Sequence, residues 1–286
     1  MLSYGYLLDL ALILLSTKLL GIITKKFKMP QVVGALLAGL IFGPAMLNIL
    51  KETNFIIQLS ELGVILLMFS AGLGTDLNEL KKTGKASFII ALFGVLIPLI
   101  GGFLVAYLFS DLDLMKEATT NVLLQNIFIG VILTATSVSI TVEALKEMGK
   151  LNTSAGTAIL GAAIIDDILG IIALTIISSM ADTSVNVGFV LLKIVAYFIF
   201  VIVIGITSHK AFDIWMKYEN RDRRRFITAA LVFCLLLSYV SEEIFGVADI
   251  TGAFIAGLIL SNVERKTYVA SILDILSYSL LSQVFF

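Results

Sequence analysis

Ten stretches of the chain are apolar for long enough, or nearly long enough, to cross a lipid bilayer as a helix. A helix needs about 20 apolar residues to span the hydrocarbon core. The stretches lie at roughly 4–24, 31–50, 54–74, 86–109, 119–147, 152–180, 187–210, 222–245, 247–263 and 270–286. Their apolar residues run continuously, which excludes membrane-spanning β-strands. Hydrophobic residues make up 59% of the chain and charged residues only 14%. We therefore predict an all-α integral membrane protein in the lipid bilayer.

The basic residues alternate from loop to loop. Sixteen of the twenty Lys and Arg residues lie in loops that follow odd-numbered stretches, whereas only Lys51 and Lys116 lie in the even-numbered loops. Because basic loops stay on the cytoplasmic side, we expect the odd loops in the cytoplasm and the N-terminus outside, in a multi-pass plasma-membrane protein. The RDRRR run at 221–225 fits such a cytoplasmic loop, and we expect no nucleic-acid partner.

An octapeptide occurs twice. Residues 34–41 read GALLAGLI and residues 252–259 read GAFIAGLI, six of eight identical at an offset of 218. The copies lie seven stretches apart, so they cross the membrane in opposite directions. Inverted-topology repeats are the architecture of many secondary transporters; chance likeness between two Gly- and Ala-rich packing helices is the alternative. If the repeat holds, partners of the fifth and sixth stretches follow Phe286, and we expect the chain to be C-terminally truncated.

Two adjacent carboxylates occupy the centre of the sixth stretch, at Asp166 and Asp167. A carboxylate at the bilayer midplane is costly, and such residues mark ion or proton pathways. Neighbouring helical positions point about 100° apart, so one carboxylate can face a cavity while the other finds a partner at its side. An intramembrane aspartyl protease needs carboxylates on separate helices that face one water. We therefore do not predict an enzyme.

The fifth stretch carries five hydroxyl residues within residues 134–141. Hydroxyl and β-branched side chains weaken a helix and can release its backbone groups, so we predict a break in helical hydrogen bonding within residues 134–139 and an unbroken sixth stretch. Ser137 lies 13 residues before Lys150 and Asp167 lies 17 after it. In a hairpin these two residues reach comparable depth, where their oxygens suit a small alkali cation. Thr134 and Glu143 are candidates for the pathway.

Three motifs resemble the Kef/Nap-type branch of the monovalent cation:proton antiporter superfamily. They are MPQVVGALLAGLIFGP at 29–44, TATSVSITVEALKEMG at 134–149 and GAAIIDDILGI at 161–171. The likeness runs along nearly the whole chain. It implies an inverted-repeat antiporter fold of about 13 spans when complete, with about ten present here. It also implies a core domain with two broken helices and a separate domain that forms the interface of a homodimer.

The resemblance implies roles for four residues. Asp167 matches the essential carboxylate that binds either the cation or protons. Asp166 matches a position that is Asn or Gln in some members and Asp in electrogenic ones. Thr136 and Ser137 match the unwound part of the first broken helix. The implied alkali-cation site therefore comprises Asp167, Ser137 and Thr136, with Na⁺ first and K⁺ or Li⁺ as alternatives, exchanged for H⁺ without a cofactor.

The same resemblance divides the chain into four parts. They are a dimer or scaffold domain at 1–85, an ion-binding core at 86–185, a linking helix at 186–221 and the truncated start of the second repeat at 222–286. The second broken helix, a membrane lysine that pairs with the first Asp in electrogenic members, and a possible regulatory domain would lie beyond Phe286. The chain departs from the family at Gly74, where an acid often follows the Ala-Gly-Leu sequence.

Two other transport functions stay open. A sodium-coupled organic solute symporter of related fold would need a larger polar cavity, and the paired aspartates argue against it. A cation channel would lack a protonatable carboxylate at the centre of its path, and its flux would not depend on a proton gradient.

Overall fold

The described part of the chain is helical. The structure, a computed structural model, describes residues 5–109, 122–181, 186–218 and 223–261, together with 269, 272–273 and 284. No strand occurs among these residues. The helices are α1 (Gly5–Lys26), α2 (Gln31–Phe42), α3 (Asn54–Gly74), α4 (Leu77–Leu108), α5 (Val122–Ile132), α6 (Val138–Glu147), α7 (Ser154–Ala181), α8 (Val187–Tyr218), α9 (Arg223–Tyr239), which continues as a π-helix (Val240–Phe245), and α10 (Asp249–Leu260).

Six of the described helices are long and apolar enough to cross a membrane: α1, α3, α4, α7, α8 and α9 with its π-helical end. Three shorter apolar helices, α2, α5 and α10, correspond to further predicted stretches. The tenth predicted stretch, 270–286, lies outside the described residues except at 272–273 and 284. The described residues therefore contain six candidate membrane spans, and the full count of about ten stays a prediction.

Two predicted boundaries differ from the observed ones for local reasons. Helix α2 ends at Phe42 instead of continuing to residue 50, because Gly43 adopts an extended conformation (ψ −172°) before Pro44, and proline disfavours a helical residue in front of it. Helix α4 begins at Leu77, nine residues before the predicted stretch at 86–109. There the carboxylate of Asp76 accepts the Asn78 N–H at 2.7 Å and caps the helix.

The main apolar core surrounds the crossing of α3 with α10. Phe69 and Leu73 of α3 pack with Phe254 of α10 in this cluster. A Cβ atom on Gly72 would collide with the Phe254 carbonyl, and one on Gly257 would collide with the Phe69 carbonyl. Only glycine allows two helix backbones to approach this closely, so these two glycines permit the close packing of α3 against α10.

A second group of helices is organised around α4. The Ser87 hydroxyl of α4 donates to the Ala158 carbonyl of α7 at 3.0 Å, and further along both helices Gly94 lies beside Asp166. Both pairs advance in the same direction, so α4 and α7 run parallel. Gly102 of α4 packs against Gly130 of α5. Helix α4 therefore contacts both the helix that carries the aspartates and α5, the helix that precedes the hydroxyl-rich residues.

The first glycine of the repeated octapeptide makes the same kind of contact in both copies. Gly34 of α2 packs on the backbone of α1 at Leu20 and Gly21. Gly252 of α10 packs on α9 at Ser238. The offset of 218 residues relates Gly34 to Gly252 and also Leu20 to Ser238, so the likeness extends from the sequence to the packing of each helix on its predecessor.

Candidate functional site

The fifth predicted stretch forms two helices with an interruption between them. Helix α5 ends at Ile132 and α6 begins at Val138. The N–H of Thr134 bonds to the Val131 carbonyl (3.0 Å) and that of Ala135 to the Ile132 carbonyl (3.3 Å), which are i to i−3 contacts of a tightened final turn. The interruption predicted at residues 134–139 is observed at residues 133–137, where the hydroxyl-rich sequence begins.

The hydroxyls at this interruption are held by local hydrogen bonds. Thr134 donates to the Val131 carbonyl at 2.7 Å, and Thr136 donates to the Thr134 carbonyl at 3.3 Å. The Ser137 oxygen accepts the Ile140 N–H at 3.4 Å and so caps α6. A hydroxyl oxygen has two acceptor lone pairs besides its donor. Thr136 and Ser137 therefore keep acceptor capacity for a cation.

Helix α7 carries both aspartates without interruption from Ser154 to Ala181. Asp166 is 9% exposed, whereas Asp167 is partly buried. The Thr136 side chain lies next to the Asp166 carboxylate and interacts with it. The sequence predicted Ser137 and Asp167 at comparable depth, and in the structure Thr136 and Asp166, one residue earlier on each arm, are neighbours. Carboxylate and hydroxyl oxygens from the two hairpin arms thus meet at one depth, the donor set that alkali cations prefer.

The two candidate pathway residues are buried. Thr134 is 3% exposed and Glu143, on α6, is 2% exposed. One turn beyond Glu143, at the end of α6, the Glu147 carboxylate accepts the Gln31 N–H of α2 at 2.5 Å. This contact joins residues 116 apart in sequence, and sequence reasoning missed it. The sequence signal is Pro30 at the N-cap position of α2. Because Pro30 offers no side-chain cap, the first N–H groups of α2 need an acceptor from elsewhere.

Gly94 of α4 is a second neighbour of the site that sequence reasoning missed. A Cβ atom added to Gly94 would lie 3.6 Å from the Oδ1 atom of Asp166. The sequence signal is Pro98, which stands inside α4 four residues after this glycine.

These features define a multi-pass α-helical membrane protein that holds carboxylate and hydroxyl oxygens at an interrupted helix in its apolar interior. The family model described as "Sodium/hydrogen exchanger, transmembrane" matches residues 11–286. The chain belongs to that family.

Three similar proteins come from two bacteria. A probable Na⁺/H⁺ antiporter, GerT, of Bacillus cereus is 40% identical over 97% of this chain and 71% of its own length. The Na⁺/H⁺-K⁺ antiporter GerN of the same organism is 38% identical over 99% of this chain and 70% of its own. A Na⁺/H⁺ antiporter of Enterococcus hirae is 36% identical over 97% of this chain and 70% of its own.

Proposed function

We propose that the protein is a secondary active transporter that exchanges a monovalent cation for protons by alternating access, with Na⁺ as the first candidate and K⁺ or Li⁺ as alternatives. Family membership and the relatives named as Na⁺/H⁺ or Na⁺/H⁺-K⁺ antiporters support this reaction. The observation that carries it is the aspartate pair of α7 beside the interrupted segment. Its Asp166 carboxylate interacts with Thr136 inside an apolar helix bundle.

The exchange follows from one carboxylate with two possible ligands. Asp167 binds a proton or, when ionised, an alkali cation, with Asp166, Ser137 and Thr136 supplying further oxygens. Because the cation binds only the ionised form, cation binding releases a proton. If the site opens to each side of the membrane in turn, loading with a cation on one side and a proton on the other gives exchange. In this proposal Thr134 and Glu143 lie along the route to the site.

The architecture proposed for this transporter is the inverted-repeat fold of the Kef/Nap-type branch. The equivalent contacts of Gly34 and Gly252 with their preceding helices support the repeat. Helices α4, α5 and α7 pack together, which supports residues 86–185 as the ion-binding unit. Residues 1–85 would then be scaffold and the interface of a homodimer, in a plasma membrane with the N-terminus outside.

Purified protein in liposomes with an imposed pH gradient tests the function. An acidic interior should be neutralised when Na⁺ is added outside and unchanged when choline is added instead, and K⁺ measured in parallel gives the cation preference. Cation flux at the same rate without a proton gradient would indicate a channel. Uptake of an organic solute that requires Na⁺ would indicate a symporter, and either result would overturn the proposal.

A further inference from the structure

One oxygen of the aspartate pair has no hydrogen-bond partner. The Oδ1 atom of Asp166 is buried, and no donor among the described residues reaches it. A buried acceptor left unsatisfied costs about 1–3 kcal/mol, and more when it is charged. An oxygen in this position therefore requires a proton, a water molecule or a cation beside it.

The helix next to this oxygen has an unusual backbone. Gly94 of α4 is the neighbour, with its missing Cβ position 3.6 Å from Asp166 Oδ1, so main-chain atoms of α4 are what the carboxylate approaches. Four residues later α4 contains Pro98. In an α-helix the carbonyl of residue 94 would accept the N–H of residue 98, and proline has no N–H. The Gly94 carbonyl therefore loses its normal helical donor.

A carboxylate oxygen of α7 that lacks a donor thus lies beside a glycine of α4 whose main-chain carbonyl has lost its helical donor to Pro98. Released backbone groups at membrane depth are tolerated where protein or water satisfies them, typically along a cavity. Carboxylate and carbonyl oxygens are the hard ligands that alkali cations take. A glycine at position 94 also leaves the space that a ligand between the two groups would occupy.

We propose that the Gly94 carbonyl, released by Pro98, is a ligand of the transported cation and completes the site on the α4 side. This inference rests on the proposed exchange function and deepens it, because it adds a main-chain oxygen to the carboxylates and hydroxyls. Pro98 then acts as a positioning residue that keeps the carbonyl available without touching the cation.

The test separates the missing donor from the shape that proline gives the helix. Pro98→Ala restores an N–H at residue 98. Lactic acid, the α-hydroxy analogue of alanine, can be incorporated at position 98 by nonsense suppression. Like Pro98→Ala it removes the proline ring, but it supplies no N–H. Gly101→Ala serves as the control on the same helix, since an added Cβ there meets nothing within 4 Å. Apparent Na⁺ affinity is measured in liposomes for all variants.

We expect Pro98→Ala to raise the apparent KM for Na⁺ by roughly three- to tenfold, the size expected for losing one hydrogen-bond-strength contact. The lactic acid variant and Gly101→Ala should stay near the wild-type value. An unchanged KM in Pro98→Ala would overturn the inference, as would equal increases in the alanine and lactic acid variants, because helix shape would then be the cause.

Thermal stabilisation of the purified protein by NaCl, against choline chloride at equal ionic strength, gives a readout that does not require transport. The variants should show the same ranking in this assay. Wild-type exchange with no difference between the position-98 variants would reject the Gly94 ligand alone. A wild-type protein that neither exchanges Na⁺ for protons nor is stabilised by Na⁺ would reject the proposed function together with the ligand.

Discussion

The two arms of the hairpin at the site contribute oxygens in different ways. The first arm is interrupted at residues 133–137, and its hydroxyls and backbone are arranged by short local bonds. The second arm, α7, is a continuous helix of 28 residues, so its backbone is satisfied internally and only its side chains can bind ions. In the proposed site the interrupted arm therefore supplies neutral oxygens and the continuous arm supplies charge.

This difference has a physical basis. A carboxylate must be held in a fixed position to bind a small cation. A continuous helix provides that fixed position. Main-chain carbonyl oxygens become available only where the helix no longer uses its own backbone groups. Thr175 lies in the unbroken arm, where its hydroxyl donates to the Ile171 carbonyl of α7 itself at 2.7 Å.

The largest effect is expected for the charge on the continuous arm. Asp167→Asn should reduce cation-dependent proton flux to the level of empty liposomes, because the variant has no group that exchanges a proton for a cation. Folding should be retained, since removing a charge from the membrane interior relieves a cost. Asp9→Asn, the same change in α1, serves as the control and should transport normally. Half of the wild-type exchange remaining in Asp167→Asn would contradict the assignment.

The next effect concerns pH. If protons and cations compete for Asp167, the apparent affinity for Na⁺ should fall about tenfold per pH unit once the pH drops below the value at which the site is half protonated. Initial rates measured over a range of Na⁺ concentrations between about pH 6 and 8.5 test this. A constant apparent affinity with a changing maximal rate would show that protons act at another place.

A smaller effect is expected from single hydroxyls, and it separates the two arms directly. Thr136→Ala removes the neighbour of Asp166 and should weaken apparent Na⁺ affinity by roughly three- to tenfold, as one lost hydrogen-bond-strength contact does. Thr175→Ala makes the identical change in α7, where the hydroxyl bonds its own helix, and should leave affinity unchanged. Equal effects of the two substitutions would remove the functional distinction between the arms.

The smallest effect is expected at the end of the interrupted arm. Glu147→Gln removes the negative charge that accepts the Gln31 N–H at the start of α2, and a charge at a helix N-terminus contributes about 0.3–1 kcal/mol. The melting temperature in detergent should fall by a few degrees or less. Glu242→Gln is the matched control. Glu242 also accepts an N–H at a helix start, that of Asp249 in α10, but from only seven residues away, so the pair compares a local contact with a long-range one. A Glu147 variant as stable as wild type would show that the contact contributes nothing.

Local patterns predicted much of this architecture. Continuous apolar runs determined the helices, because a chain in a bilayer must satisfy its backbone internally. The hydroxyl-rich sequence at 134–141 predicted an interruption within a few residues of where it occurs, since competing side-chain bonds act over three or four residues. The predicted end of α2 and the predicted start of α4 differ from the observed ones. Both differences have local causes, Pro44 after α2 and the Asp76 cap before α4, which proline and capping preferences would predict.

Contacts between helices are what the tertiary structure decided. The sequence singled out Asp166, Asp167, Thr136 and Ser137 as candidates, because charge and hydroxyl groups in an apolar run are conspicuous and costly. It did not determine that Thr136 meets Asp166, since that depends on how each helix is rotated about its axis. The approach of Gly94 to Asp166 and the bond from Gln31 to Glu147 depend likewise on packing between distant segments, whereas helical periodicity and hydrogen bonding report only on residues three or four positions apart.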